Sequence, residues 1–174
     1  MNKKFDISAK AAALAATVIL IVAAASIAAA QSATVLDRNQ ARPMVPTKFT
    51  FDGQTAQTQL RNSGVARFGS KQHVIVGLVD TSGYSTDTSS EYEGFFITDI
   101  AVRVGGVRLG RGSYGFGFSK DGRVRFRRVN GKGVFTAKTK NDAGLKRPRP
   151  LMLLVVDGEL RFYKGRTYAV VKAA

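Results

Sequence analysis

From Thr47 onward, short apolar runs alternate with glycine-bearing turns, which predicts strands and hairpins rather than helices. The runs are KFTF before Asp52-Gly53, HVIVGLV over 73–79, GFFITDIAVRV up to Gly105-Gly106, VRL, SYGFGF before Lys120-Asp121-Gly122, RVRFRRV up to Asn130-Gly131, KGVFTAKTK, LMLLVV before Asp157-Gly158, ELRFY and RTYAVV. Pairs such as Asn-Gly and Asp-Gly reach positive φ at low cost, so neighbouring strands are expected to be antiparallel. About ten short strands without a helix-length apolar period predict an all-β fold, either a small antiparallel barrel or a two-sheet sandwich. An outer-membrane barrel needs strands of about 9 to 11 residues, and most runs here are shorter.

Alternation within the runs assigns faces. Val124 and Phe126 are expected on one side of their strand, with Arg123, Arg125 and Arg127 on the other. Arg128 falls on the side of Val124 and Phe126, which calls for a sheet edge or a bulge. Tyr114, Phe116 and Phe118 share a face opposite Gly115 and Gly117. Small residues behind a row of rings point to a strongly curved strand or to a second layer lying close over it. Residues 54–70 are polar and show no clear period, with one short helix as an option. Residues 80–93 form a long polar loop.

The N-terminal pattern differs. Lys3, Lys4 and Lys10 precede an uncharged stretch from Ala11 to Ala30, and Ala28 and Ala30 occupy the small-residue positions of a cleavage site. Residues 1–30 therefore predict a signal peptide, and the protein is expected to be periplasmic or secreted. An uncleaved stretch would act instead as an N-terminal membrane anchor with the domain on the same side. Residues 31–46, with Pro43 and Pro46, predict a flexible or loosely docked leader, and residues 47–174 a single basic domain.

Composition sharpens this. The formal charge is +15, or +13 once residues 1–30 are set aside with their three lysines and one aspartate, and there is no cysteine. No disulfide frame or thiolate chemistry is available, so strand pairing and eleven phenylalanines must supply stability. Between Arg103 and Arg149 fourteen lysines and arginines face two aspartates, Asp121 and Asp142. The row Arg123, Arg125 and Arg127, spaced about 6 to 7 Å apart along its strand, is a candidate anion site. Lys146, Arg147 and Arg149 in the proline-stiffened loop LKRPRP extend it.

Catalytic signatures are sparse. Gly110 to Gly115 fits G-x-G-x-x-G, but strand follows it where a nucleotide site needs a helix. The single histidine, His73, opens an apolar strand, and no serine sits in a nucleophile elbow. Asp80, Asp87, Glu91 and Glu93 fit no calcium-loop spacing. Asp99 with Glu93 could serve glycoside hydrolysis only at the right separation. No enzyme activity, metal or cofactor is expected. The expected function is binding of an anionic polymer, lipid headgroup or acidic protein through the basic strand face. The alternative is a structural or protein-interaction domain that uses a strand edge or the aromatic row near Tyr114.

Overall fold

The computed structural model describes residues 32–83, 85, 91–131 and 133–174. The expected signal peptide, residues 1–30, lies outside them. Fourteen strands among the described residues form two antiparallel sheets of eight and six strands that do not close into a barrel. The larger sheet runs β1 (Ala33–Val35), β3 (Gln54–Phe68), β4 (Gln72–Val79), β5 (Gly94–Thr98), β8 (Gly112–Ser119), β9 (Arg123–Arg128) and β10 (Val134–Lys138), with β2 (Lys48–Phe51) paired to β3. The smaller sheet runs β12 (Arg149–Val156), β13 (Glu159–Gly165), β14 (Thr167–Ala173), β6 (Val102–Val104) and β7 (Val107–Leu109), with β11 (Lys140–Asn141) paired to β14.

The principal core lies between the sheets. Phe96, Phe116 and Phe126 from the larger sheet meet Phe162 from the smaller at ring separations of 5.7, 4.9 and 6.5 Å. The two contacts with Phe96 and Phe116 are edge-on, the arrangement that the ring quadrupole favours. Val74, Val76, Val124, Leu151, Leu153 and Leu160 complete the layer.

A second layer covers the outer face of the larger sheet. Phe49, Phe51, Tyr92 and Phe95 are buried there with Ala41 and Val45. The two glycines opposite the aromatic row mark this contact. A Cβ on Gly115 would lie 2.8 Å from the Phe51 ring, and one on Gly117 would lie 1.9 Å from the Glu91 carbonyl oxygen. The glycines thus admit a covering layer.

Two expectations change. The leader is not loose: β1 pairs with β3, and the short helix α1 (Arg38–Ala41) is capped by Asp37, which accepts from the Asn39 and Gln40 amides at 2.8 and 3.0 Å. Pro43 enters the first turn of a 3₁₀ segment, where its missing N–H costs nothing, so proline sets the direction of the chain here. The polar stretch 54–70 forms the long strand β3 rather than a helix, because β2, β4 and β1 supply ladder partners that its side-chain pattern does not advertise. Between Thr58 and Ser63 the register with β4 slips, and the intervening residues bulge outward with Leu60 exposed.

Candidate functional site

The arginine row occupies the predicted face of β9, but it meets carboxylates, two from the covering segments and one from its own hairpin turn. Arg127 pairs with Asp52 at 2.8 Å and lies 5.5 Å above the Phe51 ring. Asp52 reaches that point from the β2–β3 turn, where Asp52 and Gly53 both have positive φ (49° and 74°). Arg125 faces Glu91 at 4.0 Å and Arg123 faces Asp121 at 3.9 Å, both at the long limit of an ion pair. Asp121 is held below the usual carboxylate range mainly by the hydrogen bond from Ser119, with Arg123 and Arg125 adding to it. The Tyr92 hydroxyl is buried beside this cluster without a well-formed hydrogen bond, and burial, with Glu91 next, pushes its pKa up. Arg128 turns to the end of the core, where it donates to the Arg111 carbonyl and the Tyr114 hydroxyl at 2.8 and 3.2 Å.

Lys146, Arg147 and Arg149 are elsewhere. They stand before and at the start of β12 in the smaller sheet, on the rim of an open groove of about 560 Å³ floored by Leu145, Met152 and Leu154. Among the described residues no ion pair engages these three, and they belong to the smaller sheet while the β9 row belongs to the larger. Their loop is braced: Arg166 donates to the Ala143 and Leu145 carbonyls, and Asp142 accepts from the Tyr163 hydroxyl at 2.8 Å.

The aromatic row is unavailable as a surface. Tyr114 and Phe116 are buried and Phe118 is packed against the core. Other candidate groups make contacts within the fold. His73 sits 3.4 Å from Asp99, and Glu93 accepts from the Phe118 amide and from Lys164. Asp87 lies outside the described residues. Among those described, no three His, Cys, Asp or Glu side chains gather as for a metal, and no helix is long and apolar enough to cross a membrane.

What the residue pattern did not reveal is the free side of β10. Directly opposed residues of an antiparallel pair alternate between those that exchange two hydrogen bonds and those that exchange none. Thr139 donates to the Gly122 carbonyl at 3.1 Å, which sets the phase of the β9–β10 ladder. Phe135 opposite Phe126 and Ala137 opposite Val124 are then the bonded positions. On the far side of β9, Val129 donates to Ser113, and this fixes the same phase independently. Val134, Thr136 and Lys138 therefore turn their N–H and C=O groups away from β9.

Among the described residues no other strand receives those groups. At the Lys138 end the Gly105 turn abuts the carbonyl, since a Cβ on Gly105 would lie 2.3 Å from it. Among the described residues no backbone hydrogen bond engages the outward groups of Val134 and Thr136, although β7 packs near β10 without pairing with it, and Val134 is 53% exposed.

Family models, curated proteins and solved structures give no match to this chain. Function must therefore be argued from these surfaces alone.

Proposed function

We propose that this is an exported, non-catalytic interaction domain that accepts an extended segment of a partner protein along the free edge of β10. The observation that carries the proposal is the pair of outward-facing backbone positions, Val134 and Thr136, in a strand with a ladder on one side only. An added strand could exchange four main-chain hydrogen bonds with these two residues, which is the chemistry of strand addition. The β9 face is less suited to hold a free polyanion by itself, because Arg127 is committed to Asp52, while Arg125 and Arg123 have Glu91 and Asp121 beside them in longer pairs that leave donors free. Export is supported by the order of Lys3, Lys4 and Lys10, the uncharged stretch to Ala30, and the small residues Ala28 and Ala30.

A photo-crosslinking phenylalanine analogue placed at Val134 of the full chain, in the native cell, tests this. A discrete protein adduct is expected that Thr136→Pro removes and that the same probe at Val155, the exposed valine of β12, does not yield. Absence of an adduct from position 134, or an identical adduct from both positions, would refute strand addition at β10.

A further inference from the structure

The parity that opens the backbone of β10 also decides which side chains an incoming strand meets. Val134, Thr136 and Lys138 are opposite Arg127, Arg125 and Arg123. Directly opposed residues share a sheet face, so these six side chains lie together on the outer face. Phe135 and Ala137 point the other way, to the core, where Phe135 is only partly covered and meets Tyr114 edge-on at 6.1 Å. Val107 of β7 is also only partly covered at the margin of that core.

A strand added to β10 would lie about 4.8 Å from it and about 10 Å from β9. Its outward side chains would stand beside Thr136 and Lys138, with Arg123 and Arg125 one strand further on. A glutamate and an arginine reaching toward each other span that distance. Arg123 and Arg125 are 59% and 43% exposed, and their pairs with Asp121 and Glu91 are long. Exposed pairs of this kind are weak, so both guanidinium groups keep donors for a new carboxylate. Lys138 is exposed and has no carboxylate partner among the described residues. The inward side chains of the added strand would face Phe135.

From this we infer that the partner segment alternates carboxylate and apolar residues, with its acids on the face of Lys138, Arg125 and Arg123 and its apolar residues over Phe135. The inference rests on the strand addition proposed above and names the chemistry that selects the strand. It also gives the arginine row a role as the second rank of a docking site rather than a self-sufficient anion site. A second copy of the chain is a poor occupant. Two-fold pairing at β10 would bring Lys138 and the arginine row of both copies onto adjoining strands, with net positive charge on each chain.

The test uses the full chain and four ten-residue peptides: valine alternating with glutamate, the same with glutamine, the same with lysine, and the glutamate peptide N-methylated at alternate positions along its bonding edge. Calorimetry supplies the affinities and amide NMR shifts locate the site. The glutamate peptide should bind about tenfold more tightly than the glutamine peptide, shift the Val134 and Thr136 amides, and lose that advantage in 1 M salt, where the screening length falls to about 3 Å. The N-methylated peptide should fail to bind, because its edge donors are gone while its charge is kept. The double variant Arg123→Gln, Arg125→Gln should weaken the glutamate peptide and leave the glutamine peptide unchanged.

Equal binding of the glutamate and glutamine peptides, both lost on N-methylation, would overturn the acidic partner and leave strand addition standing. If no peptide binds, or if N-methylation makes no difference, strand addition falls and the inference with it. Self-association of the full chain that Thr136→Pro abolishes would make a second copy the occupant and likewise overturn the acidic partner. Should Thr136→Pro unfold the domain, the N-methylated peptide still decides, because it leaves the protein unaltered.

Discussion

The two sheets end in unlike strands. β12 and β10 each pair on one side only, with β13 and β9, and each carries an exposed valine, Val155 or Val134. Across the two-residue turn at Asp157 and Gly158 (φ 52° and 75°), Val156 is opposite Glu159, so the outward backbone positions of β12 are Leu151, Leu153 and Val155. There the edge is backed: β3 packs against β12, and a Cβ on Gly64 would be in ordinary van der Waals contact with the Leu153 side chain at 3.6 Å. It is also blunted, because the register slips between Arg149 and Met152 and Pro150 has no N–H to offer. β10 has neither proline nor bulge, and the Gly105 turn and the strand β7 that follows it come close to β10 without pairing with it. An edge can serve the fold or recruit a partner, and these two strands divide the tasks.

The largest expected contrast follows from that division. Leu153→Ala on β12 removes a buried side chain from the shared core and should lower stability by about 2 to 4 kcal/mol. Val134→Ala on β10 removes a side chain that is mostly in water and should change it by less than about 0.5 kcal/mol. Urea denaturation of both variants makes the comparison. A comparable loss at Val134 would mean that the β10 edge is covered within the molecule, and the division would collapse.

A smaller effect separates members of the arginine row. Arg127→Ala removes the pair with Asp52 and the stack on Phe51, which tie the β2–β3 turn down onto β9. About 1 to 2 kcal/mol is expected from a half-exposed pair with an aromatic contact. Arg123→Ala should stay within about 0.5 kcal/mol, since its partner is distant and both groups are in water. Equal losses would make the row a uniform structural face with no reserve of free donors behind β10.

Strand-rich architecture, the hairpin turns and the division of β9 into an apolar and a basic face were legible, because period-2 alternation and Asp-Gly or Asn-Gly pairs are local signals. Gly115 and Gly117 were legible as a place of close approach, and the approaching groups proved to be Phe51 and the Glu91 backbone. The long strand β3 was hidden by polar residues whose strand state comes from three partners distant in sequence. The aromatic row looked equally suited to core or surface, since alternation says which side chains share a face and not what covers that face. The counter-charges on Arg125 and Arg127, Glu91 and Asp52, come from segments distant in sequence, only Asp121 being local to Arg123, and the open edge of β10 is defined by a missing neighbour. Neither the distant charges nor the missing neighbour belongs to β9 or β10 itself, so neither leaves a mark in the local pattern.

Alkaline pH bears on the β12 side. Tyr163 is buried next to β12, opposite Met152, and its hydroxyl holds Asp142 at the base of the basic loop. Burial chiefly raises its pKa, and the bond to Asp142 adds to this against the opposing pull of Arg161. An unfolded tyrosine ionises near pH 10, so the stabilisation is complete below that pH and is lost as pH rises toward the higher folded value. Tyr163→Phe should cost about 1 kcal/mol at pH 8, by loss of the hydrogen bond, and should shallow the fall in urea midpoint between pH 8 and 10.5. An unaltered fall would assign it to Tyr92, which is raised in the same direction on the larger sheet.

Pro150→Ala gives the smallest change and the most direct check on what keeps β12 inert. Alanine restores an N–H at the slipped register and frees the unfolded chain, which should lower stability by about 0.5 kcal/mol, or about 1 to 2 °C in Tm. The same N–H returns a donor to an edge rich in leucine and valine. Light scattering should then detect concentration-dependent association beyond that of the parent chain, and Thr136→Pro at the other edge should not suppress it. If Pro150→Ala associates no more than the parent chain, the backing by β3 at Leu153 is sufficient by itself, and proline serves only to direct the chain into β12.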